Sequence, residues 1–187
     1  MEQFTHAGYT IKIHQDEDAP NPRKEFDHIC RMACWHRRYE LGDEMPTEKP
    51  DEFLKSLPKG TIVRGLSMLD HSGLHIYLGH GEHWTDSGGW DSGPIGFIYA
   101  TPEAIRKEYS VKRITDATKK RVEACMKDEV EEYDQYLRGD VYGYEIEDEN
   151  GAFVDSCWGF FGYDYCVASA KEAAEYAAKN SSVAAGI

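Results

Sequence analysis

The sequence predicts an α+β fold: a mostly antiparallel sheet built from hairpins and covered by helices. Two observations carry this expectation. Apolar alternation of period two recurs in neighbouring segments joined by short turn sequences, which is the signature of hairpins rather than of parallel strands with helical crossovers. Between these pairs lie stretches with apolar residues at steps of three and four, opened by capping residues, as covering helices require. The chain has 187 residues, 41% apolar and 12% aromatic, with twelve Tyr and four Trp, which is enough for a real core. With no linker, repeat or low-complexity tract, one domain over residues 1–187 is expected, with frayed residues after about 180.

The elements follow in order. Tyr9, Ile11 and Ile13 alternate with Thr10, Lys12 and His14, so a half-buried strand is expected there. Two prolines and several acids make "QDEDAPNPR" a loop. Phe26, Ile29, Cys30, Ala33 and Cys34 sit at helical spacing, which predicts a helix over residues 25–37. After another loop, Asp51 is placed to cap a short helix "EFLKSL". "TIVRGLSML" and "GLHIYL" read as two strands joined by "DHSG", a good turn. A glycine-rich loop, "GHGEHWTDSGGWDSG", leads to the strand "PIGFIYA". Thr101 caps the next helix, with Pro102 in its first turn. Thr115 caps a longer one reaching Leu137, whose stripe is Val122, Met126, Val130, Tyr133 and Leu137. Gly139 ends it. Residues 141–158 form a second hairpin around "DENG". A last helix opens on the capping box Ser169 with Glu172.

Charge and cysteine content limit the function classes. Lys and Arg number 21 against 34 Asp and Glu, for a net charge of -13. That argues against direct nucleic-acid binding and against docking on an anionic membrane, and favours a cationic partner. Five cysteines without a tight pair spacing suit reduced thiols in a cytoplasm. The amino-terminal residues do not read as a signal peptide, and no apolar run is long enough for a membrane helix.

Several clusters are candidate sites. Residues 121–155 carry twelve acids and three bases. Asp128, Glu131, Glu132 and Asp134 fall on the outer face of the long helix, and Glu145 and Glu147 on that of the hairpin. Such an array is either a solvated face or a stand-in for the charge density of a nucleic-acid backbone. Tyr133, Tyr136 and Tyr163 would add contact area beside it. His71, His75, His80 and His83 lie within thirteen residues, among acids, and suit a divalent metal such as zinc, although no "HExxH" spacing enforces it. Asp16, Asp18 and Asn21 offer oxygen ligands but lack the spacing of a calcium loop. Cys34 and His36 are two apart, so on a helix they would point apart and make no thiol nucleophile pair. "GGWDSGPIGF" lacks the lysine of a phosphate loop. In "SCWGFFGYDY", Trp158 is expected in the core, with Tyr163 and Tyr165 more exposed.

The blocks "CWHRRYELGDE", "LDHSGLHIY", "WDSGPIGFIYATPEAIRKEY", "EVEEYDQYLRGDVYGYEIED" and "DSCWGFFG" resemble a family of small acidic proteins of unassigned function carried by bacterial phages and mobile elements. The resemblance spans roughly residues 9–175 and supplies no catalytic residues. It implies a bacterial cytoplasm and an anti-defence setting. The leading expectation is therefore an acidic interaction protein, an inhibitor of a host nucleic-acid-directed defence protein acting by nucleic-acid mimicry, rather than an enzyme. Its partner would be a basic nucleic-acid-handling protein, bound through Asp128, Glu131, Glu132, Asp134, Glu145 and Glu147 with Tyr133 and Tyr136. No cofactor is required by that expectation. The alternative is a metal-binding protein or metal-dependent hydrolase using the histidines and acids of residues 71–91.

Overall fold

The computed structural model describes residues 2–71, 73–79 and 91–185, with side chains described through residue 181. The chain forms two compact units, one of Met1–Pro20 with Gly139–Ile187 and the other of Asn21–Arg138. Each contains a four-stranded antiparallel sheet partly covered by helices, so the fold is α+β with two sheets.

In the unit holding the chain ends, the strand order is β1 (Glu2–His6), β2 (Tyr9–Gln15), β7 (Val141–Glu147) and β8 (Phe153–Phe161). The β2 alternation is as read from the sequence, with Ile11 and Ile13 buried. Strand β1 carries no such signal, because Phe4 is its one large apolar residue. It pairs with β2 across a two-residue turn in which Ala7 and Gly8 both take positive φ, +50° and +87°. That backbone matches the twist of a tight hairpin. The β7–β8 hairpin forms as expected, and Asp148 Oδ1 accepts from the N–H groups of Asn150 and Ala152 at 2.8 Å each.

Helix α5 (Tyr163–Ala185) starts six residues before the expected capping box, so Ser169 and Glu172 lie inside it. Its inner face carries Cys166, Ala170 and Ala174 at steps of four, buried against Ile11, Ile13, Tyr144 and Ile146. These small side chains let helix and sheet approach closely. Trp158, expected in the core, is 46% exposed. It lies over Gly143, where an added Cβ would come within 2.3 Å of the indole.

In the second unit the order is β3 (Arg31–Cys34), β6 (Ser92–Ala100), β4 (Ile62–Asp70) and β5 (Leu74–Leu78). The β4–β5 hairpin pairs Leu66 with Leu78 through Asp70 with Leu74, as the turn sequence implied. The expected helix over residues 25–37 does not form. Only one turn, α1 (Pro22–Glu25), is helical, and residues 31–34 are strand β3, paired with β6 from Arg31↔Tyr99 to Cys34↔Gly96. Met32, Ala33 and Cys34 are all buried. A strand covered on both faces gives an apolar run that spacing cannot tell from a buried helix. Gly96 permits the pairing, since a Cβ there would stand 2.0 Å from the Ala33 carbonyl oxygen.

Helix α2 (Pro50–Ser56) has Lys49 at its N-cap and no side-chain cap, so Asp51 sits in the first turn instead of capping it. There its charge still favours the helix N-terminus. Helix α3 (Pro102–Glu108) is capped by Thr101, as read. Helix α4 (Asp116–Leu137) matches the expected bounds, and Thr115 and Thr118 exchange a full capping box. Its stripe of Val122, Met126, Val130 and Tyr133 is buried with Leu66, Met68, Ile76 and Ile98 of the sheet. No helix among the described residues is long and apolar enough to cross a membrane.

Candidate metal centre

The inner face of α4 is not wholly apolar. Cys125 and Glu129 are one turn apart on it, and Glu129 is only 7% exposed. Cys30, fully buried, stands just before β3. The two Sγ atoms and a carboxylate oxygen of Glu129 lie within 4.8 Å of one another. Two thiols and a carboxylate in such mutual reach can coordinate a metal ion. Cys125 and Glu129 also line an open cleft of about 510 Å³ that includes Asp27, His28, Lys107 and Glu108.

A buried charge network holds these groups. The Arg23 side chain is fully buried. Its Nη1 donates to Glu129 Oε2 at 2.8 Å, and its Nη2 donates to Cys30 O at 2.7 Å and to Asp43 Oδ2 at 2.5 Å. Asp43 Oδ2 also accepts from Met32 N at 2.5 Å. Glu129 Oε1 accepts from Cys30 N at 3.1 Å and from the Cys125 thiol at 3.3 Å. One arginine thus ties α1, the approach to β3, the loop at Asp43 and α4 together. Its own position is set by Asn21, whose side chain accepts from Arg23 N at 2.9 Å.

The electrostatics follow from burial and pairing. Burial alone would lower the Arg23 pKa, but the hydrogen bonds and charges of Asp43 and Glu129 outweigh it and hold it above its ordinary value. The Cys30 thiol is pushed up, first by its hydrogen bond with Cys125, then by burial and by the Glu129 charge. Burial pushes Cys34 up to about 12. Coordination by Cys30 and Cys125 would replace the protons on the two ligating sulfurs.

The residues expected to ligate metal are placed differently. His80 and His83 lie outside the described residues. His71 Nδ1 meets Asp91 Oδ2 at 3.0 Å in an exposed pair, and His75 Nδ1 lies 3.5 Å from Asp134 Oδ1. Among the described residues, the three-ligand grouping is instead Cys30, Cys125 and Glu129. The i, i+4 spacing of Cys125 and Glu129 beside the apolar stripe is the available sequence signal for half of it. The helical spacing of Cys30 and Cys34 is misleading: Cys34 is in β3 and, among the described residues, belongs to no such grouping.

The acidic residues proposed for a partner fall on both units. On α4, Asp128 and Glu131 are exposed. Glu132 is half-buried with its pKa raised by that burial, and lies 3.7 Å from His28 Nε2. Asp134 accepts from Ile76 N at 2.8 Å and from Arg138 Nε at 2.9 Å. On β7, Glu147 pairs with Lys12 at 2.5 Å, and Glu145 lies 3.5 Å from His14. Several of these charges are thus engaged within their own unit.

Tyr136 is half-buried and stacks on Tyr133. Tyr133 cannot supply contact area as expected. It is 1% exposed, and its hydroxyl accepts from Gly42 N at 3.1 Å. Burial pushes its pKa up to about 12 from 10.0. The neutral phenol is the form the fold holds, so its stabilisation is present below the unfolded pKa and is lost as pH rises toward 12. Tyr133→Phe leaves the Gly42 N–H without its acceptor, and is expected to cost about 1–3 kcal/mol at pH 8. It should also weaken the alkaline loss of stability, as read by urea unfolding at pH 8, 10 and 11.

No known protein family, curated protein or solved structure matches this chain.

Proposed function

We propose that the protein is a metal-binding protein that takes one thiophilic divalent ion of the zinc type at Cys30, Cys125 and Glu129. The single observation that carries this reading is the convergence of these three ligand atoms within 4.8 Å in a buried setting. Thiolates select zinc over magnesium or calcium. The charges support it as well: two thiolates and one carboxylate suit a dication, and the Arg23 guanidinium, shared between Glu129 and Asp43, offsets part of the remaining negative charge. Because the ligands come from α4 and from the approach to β3, the ion would join a helix to a strand and act on stability. The test is metal analysis after zinc loading and desalting. About one equivalent is expected for the wild type and none for Cys30→Ser with Cys125→Ser; equal retention by both proteins would refute the site.

A second reading keeps the acidic surface as a partner site. The net charge of -13 and the exposure of Asp128 and Glu131 support it. It makes the protein a phage-borne or mobile-element inhibitor of a basic, nucleic-acid-handling host protein. Exposed charges would give it a strong salt dependence. Capture of a nuclease from nuclease-treated bacterial lysate is expected at low salt, and is expected to disappear at high salt or with Asp128→Lys and Glu131→Lys. Capture insensitive to both changes would sink this reading.

A further inference from the structure

Cys30 and Cys125 are far apart in the chain, yet both hang from one oxygen atom. Glu129 Oε1 accepts from the Cys30 N–H at 3.1 Å and from the Cys125 thiol at 3.3 Å. That carboxylate is itself fixed, because Arg23 Nη1 donates to its Oε2 at 2.8 Å. Arg23 Nη2 also donates to the Cys30 carbonyl oxygen at 2.7 Å. The backbone of Cys30 is therefore clamped at both its polar groups, while Cys125 sits within the continuous helix α4. The two Sγ atoms lie within 4.8 Å of each other, and the thiols share a hydrogen bond. A disulfide bond is about 2.05 Å long, so the distance left to close is under about 3 Å, within the sweep of a cysteine χ1 rotation. Access is one-sided. Cys30 is fully buried, whereas Cys125 is half-buried and lines the open cleft of about 510 Å³.

We propose that Cys30 and Cys125 are a modification site, joined as a reversible disulfide when a peroxide enters this cleft. The Cys125 sulfur, the one the cleft reaches, attacks a peroxide oxygen. The O–O bond breaks, the sulfur keeps a hydroxyl, and the other oxygen leaves as water with the thiol proton. The Cys30 sulfur then attacks the Cys125 sulfur. The S–S bond forms, the S–O bond breaks, and the hydroxyl leaves with the Cys30 proton as a second water. The two thiols lose two electrons in all, and one hydrogen peroxide becomes two waters. A thiol reductant restores the pair by exchange. One consequence rests on the metal-binding reading above. Both sulfurs are ligands there, so joining them to each other releases the ion, and an ion in place shields them from the peroxide.

The test uses the full chain with Cys157→Ser, which removes the exposed thiol. Chelator-stripped protein is treated with hydrogen peroxide, alkylated in denaturant and mapped by peptide mass. The expected product is a Cys30 peptide joined to a Cys125 peptide, two hydrogens lighter than the separate pair and parted by dithiothreitol. Adding Cys30→Ser should leave Cys125 without its resolving thiol and carry it on to the sulfinic acid. With free zinc at about ten times its dissociation constant, joining should slow about tenfold, and the oxidised protein should give up its zinc to a coloured chelator. If both thiols stay reduced, if Cys125 takes up oxygen without a link, or if it links to Cys34 or Cys166 instead, the proposal is overturned. A link that forms while zinc neither binds nor protects upholds the disulfide and removes the metal reading. About one equivalent of zinc bound through Cys30 and Cys125, with no link in the stripped protein, does the reverse.

Discussion

Glu129→Ala is expected to destabilise the protein by about 3–5 kcal/mol, measured by urea unfolding in the presence of chelator. The size follows from what the substitution strands rather than from the bond it deletes. Arg23 is fully buried and cannot turn to water, so it would keep its charge with Asp43 alone. Cys30 N would lose its acceptor in the same step, and the Cys125 thiol would lose its own. Removing one member of a buried ion pair is costly because the other stays desolvated. The companion Arg23→Met leaves two carboxylates, Asp43 and Glu129, in one buried region without their cation. Each single change is therefore expected to be severe, and the double variant Arg23→Met with Glu129→Ala should cost clearly less than their sum. A loss below about 1 kcal/mol for Glu129→Ala would mean that the network is solvated in solution and that the carboxylate is not held for any ligand.

The parts of the fold written locally in the chain were legible. Thr115 and the stripe from Val122 to Leu137 define α4 without reference to anything distant, and "DHSG" and "DENG" set two hairpins by turn chemistry alone. What failed was where burial overrides periodicity. Phe26, Ile29, Cys30, Ala33 and Cys34 fit a helix by spacing, but β3 is buried on both faces, and its apolar run carries no period to read. Tyr133 shows the same conflict in one residue. It lies on the buried stripe of α4, yet its phenol also suits a surface contact, and the Gly42 N–H that its hydroxyl accepts from sits 91 positions earlier in the chain. The candidate centre is non-local in the same way. Cys125 and Glu129 share one turn of α4, so their pairing could be read from the chain, whereas Cys30 joins them only because β3 and α4 pack in one unit. Histidines close in sequence gave a louder signal, and of these His71 and His75 each meet a different carboxylate.

Zinc is expected to raise the thermal midpoint of the wild type by roughly 5–10 °C when free metal reaches about a hundred times its dissociation constant. At that ratio a ligand that binds only the folded state adds about 2.7 kcal/mol, and for a chain of this length each kcal/mol moves the midpoint by about 2–4 °C. Calcium and magnesium should give no comparable shift, because two of the ligands are sulfur. Cys125→Ser is the informative control. Serine keeps a hydroxyl that can donate to Glu129 Oε1, so the metal-free variant should melt close to the metal-free wild type. It does not supply a thiolate, so the zinc-dependent shift should vanish. The two measurements together separate a metal role from a packing role: a variant that loses only the shift identifies Cys125 as a ligand. A variant that loses stability equally with and without zinc identifies it as core. If the wild type itself shows no shift with zinc at any concentration, the convergence of Cys30, Cys125 and Glu129 is a hydrogen-bonded feature of the core, built around the Arg23 charge and not around an ion.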